Sequence, residues 1–188
     1  MNIRDTQRAV VIERLSSHLL EHGLAQTSLR QLATAAEVSD RMLLYYFADK
    51  AEVLTTTLSS VAQGLVTALD AALPDERVAP DVLLTRALAL MRSPIMLPSV
   101  RLWLEIVIAA ARKQAPFPQL AASIMEGFLG WLEQRLDIAD DQQRAETAAH
   151  ILATVDGIAL FDLVGRPDLA NAAQALTERG GTTTERAT

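Results

Sequence analysis

The residues with the most chemical content lie between Thr27 and Leu54, in the stretch TSLRQLATAAEVSDRMLLYYFADKAEVL. Three cations, Arg30, Arg41 and Lys50, recur there beside the hydroxyls of Thr27, Ser28 and Ser39 and the adjacent phenols of Tyr45 and Tyr46. Cations placed locally in this way suit the binding of phosphate oxygens. Bond-breaking chemistry has no matching arrangement. The chain has no G-x-S-x-G, glycine-rich phosphate loop, H-E-x-x-H or cysteine nucleophile, so neither catalysis nor a cofactor is expected. The paired carboxylates Asp140 and Asp141 stand at a helix start, where capping accounts for them.

Short helices must position these groups. Ser28 with Gln31 three residues on has capping-box spacing, and Leu29, Leu32, Ala33 and Ala36 then share one helical face. Glu37-Val38 breaks the pattern. Ser39 caps a second short helix that carries Asp40 in its first turn and ends in aromatics, with Phe47 expected in the core. Asp49 and Glu52 start a third, longer helix. Two short helices joined by a tight turn make a helix-turn-helix, whose second helix enters the major groove of DNA.

The ordered series HGL-x-x-TSLRQLA, AAEVS and LLYYFADKAEVL, across residues 8 to 60, resembles the N-terminal DNA-binding domain of the TetR (tetracycline repressor) family of bacterial transcription regulators. The resemblance implies that Arg41 and Met42 reach base edges, a guanidinium pairing with guanine and an apolar side chain with a thymine methyl. It implies phosphate contacts from Thr27, Ser28, Tyr45, Tyr46 and Lys50, with Arg30, Ser39, Asp40 and Leu44 on the same surface. On the DNA-facing helix three positions depart from the family pattern: Asp40 replaces a commonly basic residue, Leu44 a tyrosine, and Tyr46 a frequent histidine. Relatives usually carry glycine where Glu37 stands, so Glu37 is expected in the left-handed region or in a remodelled turn.

Composition sets the outer bounds. In 188 residues, half are apolar and only 4% aromatic, which favours helices; there is no cysteine, so disulfides and thiolate metal sites are excluded. No apolar run reaches membrane-spanning length and the N-terminus lacks the apolar core of a signal peptide, so a cytoplasmic protein without membrane contact is expected. The net charge of −6 runs against a generally basic surface. Residues 1 to 54 hold six Lys/Arg against seven Asp/Glu, so affinity for DNA must come from local placement.

Taken in order, the pattern predicts helices over about 4–22, 28–35, 39–45, 50–73, 81–92, 98–113, 118–136, 141–164 and 168–179. Val11, Leu15 and Leu19 form the apolar stripe of the first, and Gly23 ends it. His18 and His22 lie one turn apart, but no third ligand stands nearby and no metal is expected. Domains are placed at 1–49 (helix-turn-helix) and 50–179 (ligand binding and dimerisation), with a disordered tail at 180–188.

In the second domain Met91, Met96, Trp103, Met125, Phe128 and Trp131 recur on successive helices and are candidate pocket walls, with Glu105 and His150 as polar anchors. Helices eight and nine look like the family's dimer-forming pair. Ala153 and Gly157 allow close approach there, and Ile151, Val155, Ile158 and Leu163 supply apolar area. The expectation is therefore an all-α, homodimeric regulator, most simply a repressor released from a palindromic double-stranded operator by a small-molecule effector. The alternative is a dimeric helical ligand sensor that has lost specific DNA binding.

Overall fold

The computed structural model describes residues 3–25, 27–73 and 75–184, with side chains through residue 177. The described residues form nine helices: α1 (Ile3–His22), α2 (Leu29–Ala35), α3 (Asp40–Tyr46), α4 (Lys50–Ala72), α5 (Pro80–Met91), α6 (Leu97–Ala111), α7 (Phe117–Arg135), α8 (Asp141–Leu163) and α9 (Pro167–Thr184). The all-α expectation holds, and only a single bridge between Val78 and Leu136 has β geometry among these residues.

The starts follow the side chains. Ser28 and Gln31 complete a reciprocal capping box at α2. Ser39 Oγ accepts the Met42 N–H at α3, and Asp140 Oδ1 accepts the Gln143 N–H at α8. Each satisfies a donor that the helix itself leaves orphaned. The stops are equally local. At the end of α2, Glu37 takes φ +56°, while Val38 N–H donates to Ala33 O and Glu37 N–H to Thr34 O. This paired closure normally belongs to glycine. Lys113 closes α6 in the same way, and Gly165 closes α8.

One terminus differs from expectation. The helix α9 continues to Thr184, past residue 180 where a tail was expected to begin. Once a helix is nucleated and anchored, each further residue gains one hydrogen bond for one residue fixed. Residues 185–188, also assigned to that tail, lie outside the described residues.

The chain divides into two compact units, Met1–Thr67 with Arg101–Ile124, and Ala68–Val100 with Met125–Thr188. Val53, Leu54 and Leu58 of α4 are buried.

The core of the first unit contains Val11, Leu15 and Leu19 of α1, Leu32, Ala33 and Ala36 from α2 and its cap, and Leu43 and Tyr46 of α3. Phe47 is also buried there, as expected. In the second unit α5, α8 and α9 pack on one another. Arg92, at the end of α5, joins them: its guanidinium grips both Asp162 oxygens on α8 (2.7 and 3.0 Å) and donates to Asn171 and Gln174 on α9. Such bidentate, charge-assisted contacts fix geometry as well as contribute energy. At the α8–α9 corner, hydrogen bonding from Arg166 holds the Asp168 carboxyl below the ordinary carboxylate range.

Candidate nucleic-acid interface

The second short helix, α3, divides its residues cleanly between core and solvent. Leu43 is fully buried and Tyr46 is 6% exposed, so one face of α3 sits on the core of the first unit. The opposite face presents Asp40, Arg41, Met42, Leu44 and Tyr45, all exposed, after exposed Ser39. Alternation of this kind over seven residues leaves a free surface of mixed cationic, apolar and aromatic character, suited to the base edges of a major groove.

Ser28, Arg30 and Lys50 are exposed as well, and Thr27 is half-buried with its hydroxyl donating to Leu24 O. None of the side chains of Arg30, Arg41 or Lys50 is engaged by another described residue. The cations are therefore available to an external anion. Asp40 is exposed in the first turn of α3, where a carboxylate favours the helix dipole but repels phosphate.

Tyr46 is a correction. Expected among the phosphate contacts, it instead turns inward, its hydroxyl donating to Gln7 Oε1 at 2.8 Å and its ring meeting Tyr45 edge-on. Its position three residues after buried Leu43 places it on the core face. Tyr45, 58% exposed, stays on the open face.

Sequence reasoning missed the other side of this arrangement. Arg4, Gln7 and Arg8 of α1 all reach the end of α3: Arg4 donates to Tyr45 O and Arg8 to Tyr46 O. The signal was present as a polar i, i+3, i+4 stripe on α1, but without coordinates it had no visible target.

The expected ligand group is not brought together as a single site. Trp103 and Glu105 fall in the first unit, whereas Met91, Met96, Met125, Phe128, Trp131 and His150 fall in the second. Glu105 is already committed. Its Oε2 accepts the Leu24 N–H at 2.6 Å, and its carboxylate lies over Gly23, which takes φ +67°. Trp131 is also committed, giving its indole N–H to Asp70 at 2.7 Å beneath the Arg135 guanidinium. Asp70 in turn pairs with Arg135 at 2.6 Å. Met96 is buried, Met125 is exposed, and His150 is exposed on the outer face of α8.

The second unit does contain a cavity of about 320 Å³, at the small end of ligand sites. Met91, Arg92, Ser93, Pro94, Leu97 and Val100 line it opposite Ala159, Asp162 and Leu163 of α8. Met91 is the only member of the expected set in this wall. The Ser93 hydroxyl is buried with no partner among the described residues, a donor suited to a polar ligand atom.

The expected dimer residues also divide. Ile151, Val155 and Ile158 are 1%, 6% and 3% exposed within the single chain, so they are core of the second unit and not an outer surface. Ala153 and Gly157 are exposed, and Leu163 is half-buried. A Cβ added at Gly157 would meet nothing within 4 Å. Along the same face of α8 follow Leu160 and Val164, 47% and 63% exposed; Leu169 and Leu176 are exposed apolar residues of α9. The spacing 153, 157, 160, 164 is one helical stripe. No helix among the described residues is long and apolar enough to cross a membrane, and no cluster of three metal-ligating side chains occurs among them.

Comparison with known proteins places these features. Residues 17–56 match the family described as bacterial regulatory proteins, tetR family. Among solved structures, the multidrug binding protein EbrR complexed with proflavin is 25% identical, with a TM-score of 0.66 over 92% of this chain and 98% of that one. A TetR-family transcriptional regulator from Cytophaga hutchinsonii is 17% identical, with a TM-score of 0.71 over 95% and 94%. A transcriptional regulator from Saccharomonospora viridis in complex with choline is 16% identical, with a TM-score of 0.66 over 93% and 95%. A search of curated proteins gives no match.

Proposed function

We propose that this chain, a TetR-family transcriptional regulator, acts in the cytoplasm as a homodimeric repressor released from a palindromic operator by a small organic effector. It is a DNA-binding regulator and not an enzyme. The observation that carries the reading is the open face of α3: Arg41, Met42, Leu44 and Tyr45 are exposed while Leu43 and Tyr46 anchor the helix. Arg41 reads guanine, Met42 contacts a thymine methyl, and Ser28, Arg30, Tyr45 and Lys50 hold phosphates.

Two copies are needed for two half-sites, about 34 Å apart in successive major grooves. The stripe of Ala153, Gly157, Leu160 and Val164 supports pairing through α8, with Leu169 and Leu176 of α9 at its margin. The 320 Å³ cavity beside Ser93 supports an effector site, as do the small molecules held by EbrR and the Saccharomonospora viridis protein. The effector shifts DNA affinity only by its differential affinity for the two conformational states. One reading competes: exposed Asp40 and the net charge of −6 favour a ligand sensor without specific DNA binding.

A gel-shift titration against the DNA flanking the protein's own gene, with an unrelated duplex as control, separates the two. A specific complex that weakens steeply with salt supports the regulator. Equal, weak binding to both duplexes supports the sensor.

A further inference from the structure

We infer that Arg4, Gln7 and Arg8 form a clamp on the C-terminal end of α3 that sets how the recognition helix meets DNA. The inference rests on the DNA-reading function proposed above. It concerns residues that precede the segment matched by the family model, which begins at residue 17.

The three side chains fall on one stripe of α1 and converge on the last two residues of α3, at Tyr45 O, Tyr46 O and the Tyr46 hydroxyl. A helix leaves its last carbonyls without intrahelical partners, and α3 ends at Tyr46. Arg4 donates to Tyr45 O at 3.2 Å, and Arg8 donates to Tyr46 O at 3.4 Å. Guanidinium groups at this end also complement the negative pole of the helix. The same two groups lie over aromatic faces, Arg4 5.0 Å from the Tyr45 ring centre and Arg8 4.7 Å from that of Phe47. Gln7 accepts the Tyr46 hydroxyl at 2.8 Å between them.

Arg8 extends the clamp to the next helix. It pairs with Glu52 at 3.5 Å, and Glu52 accepts the Ala48 N–H at 2.6 Å at the start of α4. One side chain thus ties α1 to the end of α3 and to the first turn of α4. With only seven residues, α3 is held by what it touches outside itself: Leu43 and Tyr46 seat it on the core, and the contacts at its two ends fix its angle on that seat. Ser39 grips the beginning and this stripe grips the finish. Arg41 and Met42, which read bases, lie between the two grips. Arg4, Gln7 and Arg8 are therefore positioning residues, acting on base readout through α3.

The test uses the full-length protein and a duplex selected by the wild type from a random-sequence library. Binding of that duplex and of an unrelated duplex is measured by fluorescence anisotropy over a range of salt. Arg8→Ala is expected to weaken specific binding by about tenfold, as for loss of a charge-assisted hydrogen bond, while non-specific binding and the salt slope stay as in wild type. Arg4→Ala is expected to behave likewise, and reselection should relax the base preference of both variants. Tyr46→Phe, which deletes only the hydroxyl given to Gln7, keeps the test sound if an arginine variant folds poorly. It should lower specific binding about threefold while melting falls only by the small amount that one lost hydrogen bond costs.

A drop of about one in the salt slope with unchanged base preference would make the arginines direct phosphate ligands and overturn the clamp. Equal specific binding by all three variants would also overturn it. If the wild type selects no duplex, the DNA-reading function itself fails and the clamp falls with it, a result distinct from either of these.

Discussion

Glu105 Oε2 accepts the backbone N–H of Leu24 at 2.6 Å, across 81 residues of sequence. The contact joins α6 to the turn that leads from α1 into the helix-turn-helix. The left-handed Gly23 lies so close that an added Cβ would fall 2.3 Å from Glu105 Oε1 and would push that carboxylate aside. The same turn is braced from within by the Thr27 hydroxyl on Leu24 O. This carboxylate, an expected ligand anchor, holds the protein's own backbone.

Glu105→Ala should therefore leave the Leu24 N–H without its partner and destabilise the first unit by about 1–3 kcal/mol. Hydrogen exchange provides the direct reading. The Leu24 amide should lose protection in the variant, while amides in α5 and α8 keep theirs. Unchanged exchange at Leu24 would show that the contact does not hold the turn.

Gly23→Ala should be at least as damaging. It combines left-handed backbone strain of about 1–2 kcal/mol with displacement of Glu105. Thermal melting should fall for Gly23→Ala. Adding Glu105→Ala to it should cost less than it does in the wild type, because the contact is already broken. Simple additivity of the two would contradict the shared contact.

Glu37 offers the opposite sign. At φ +56° it carries a strain of about 1 kcal/mol that glycine would relieve. Its ion pair with Arg14 at 3.0 Å joins two largely exposed groups and is worth only about 0–0.5 kcal/mol. Arg14 keeps its bond to Ala36 O in either case. Glu37→Gly should stabilise the protein by about 0.5–1 kcal/mol, read as a raised denaturation midpoint. A lowered midpoint would mean that the ion pair outweighs the strain.

The proposed pairing through α8 separates from folding by a contrast of two substitutions. Gly157→Leu meets open space within one chain, so it should keep the melting of the isolated fold but shift sedimentation toward monomer. Ile158→Ala, at a buried position, should cost about 2–5 kcal/mol of folding stability. A Gly157→Leu protein that sediments as the wild type does would place the contact between copies elsewhere.

The sequence made helix starts legible because capping is local. Ser28 with Gln31, Ser39 with Met42 and Asp140 with Gln143 each act within three residues. The departure of Glu37 from glycine was readable for the same reason. What was not legible depends on partners distant in the chain. Ile151, Val155 and Ile158 read as an apolar stripe, but α8 is apolar on more than one side. Periodicity alone does not tell a stripe covered by the same chain from one left for a second copy.

The same limit explains Trp131 and Glu105. An aromatic or a carboxylate on an apolar helix suggests a pocket until Asp70 or the Leu24 amide is found beside it. Tyr46 was misplaced by a smaller margin. Within the run Leu44-Tyr45-Tyr46, one step of 100° decides which ring meets solvent and which meets the core.

Base reading is proposed for the face of α3 that bears Arg41. It is tested most directly by comparing wild type and Arg41→Ala on a duplex selected by the wild type, at matched salt, followed by reselection with the variant. Arg41→Ala is expected to lose about 1–3 kcal/mol in specific binding and to relax the preference at one base position in each half-site. Equal affinity, with the same sequence reselected, would contradict it.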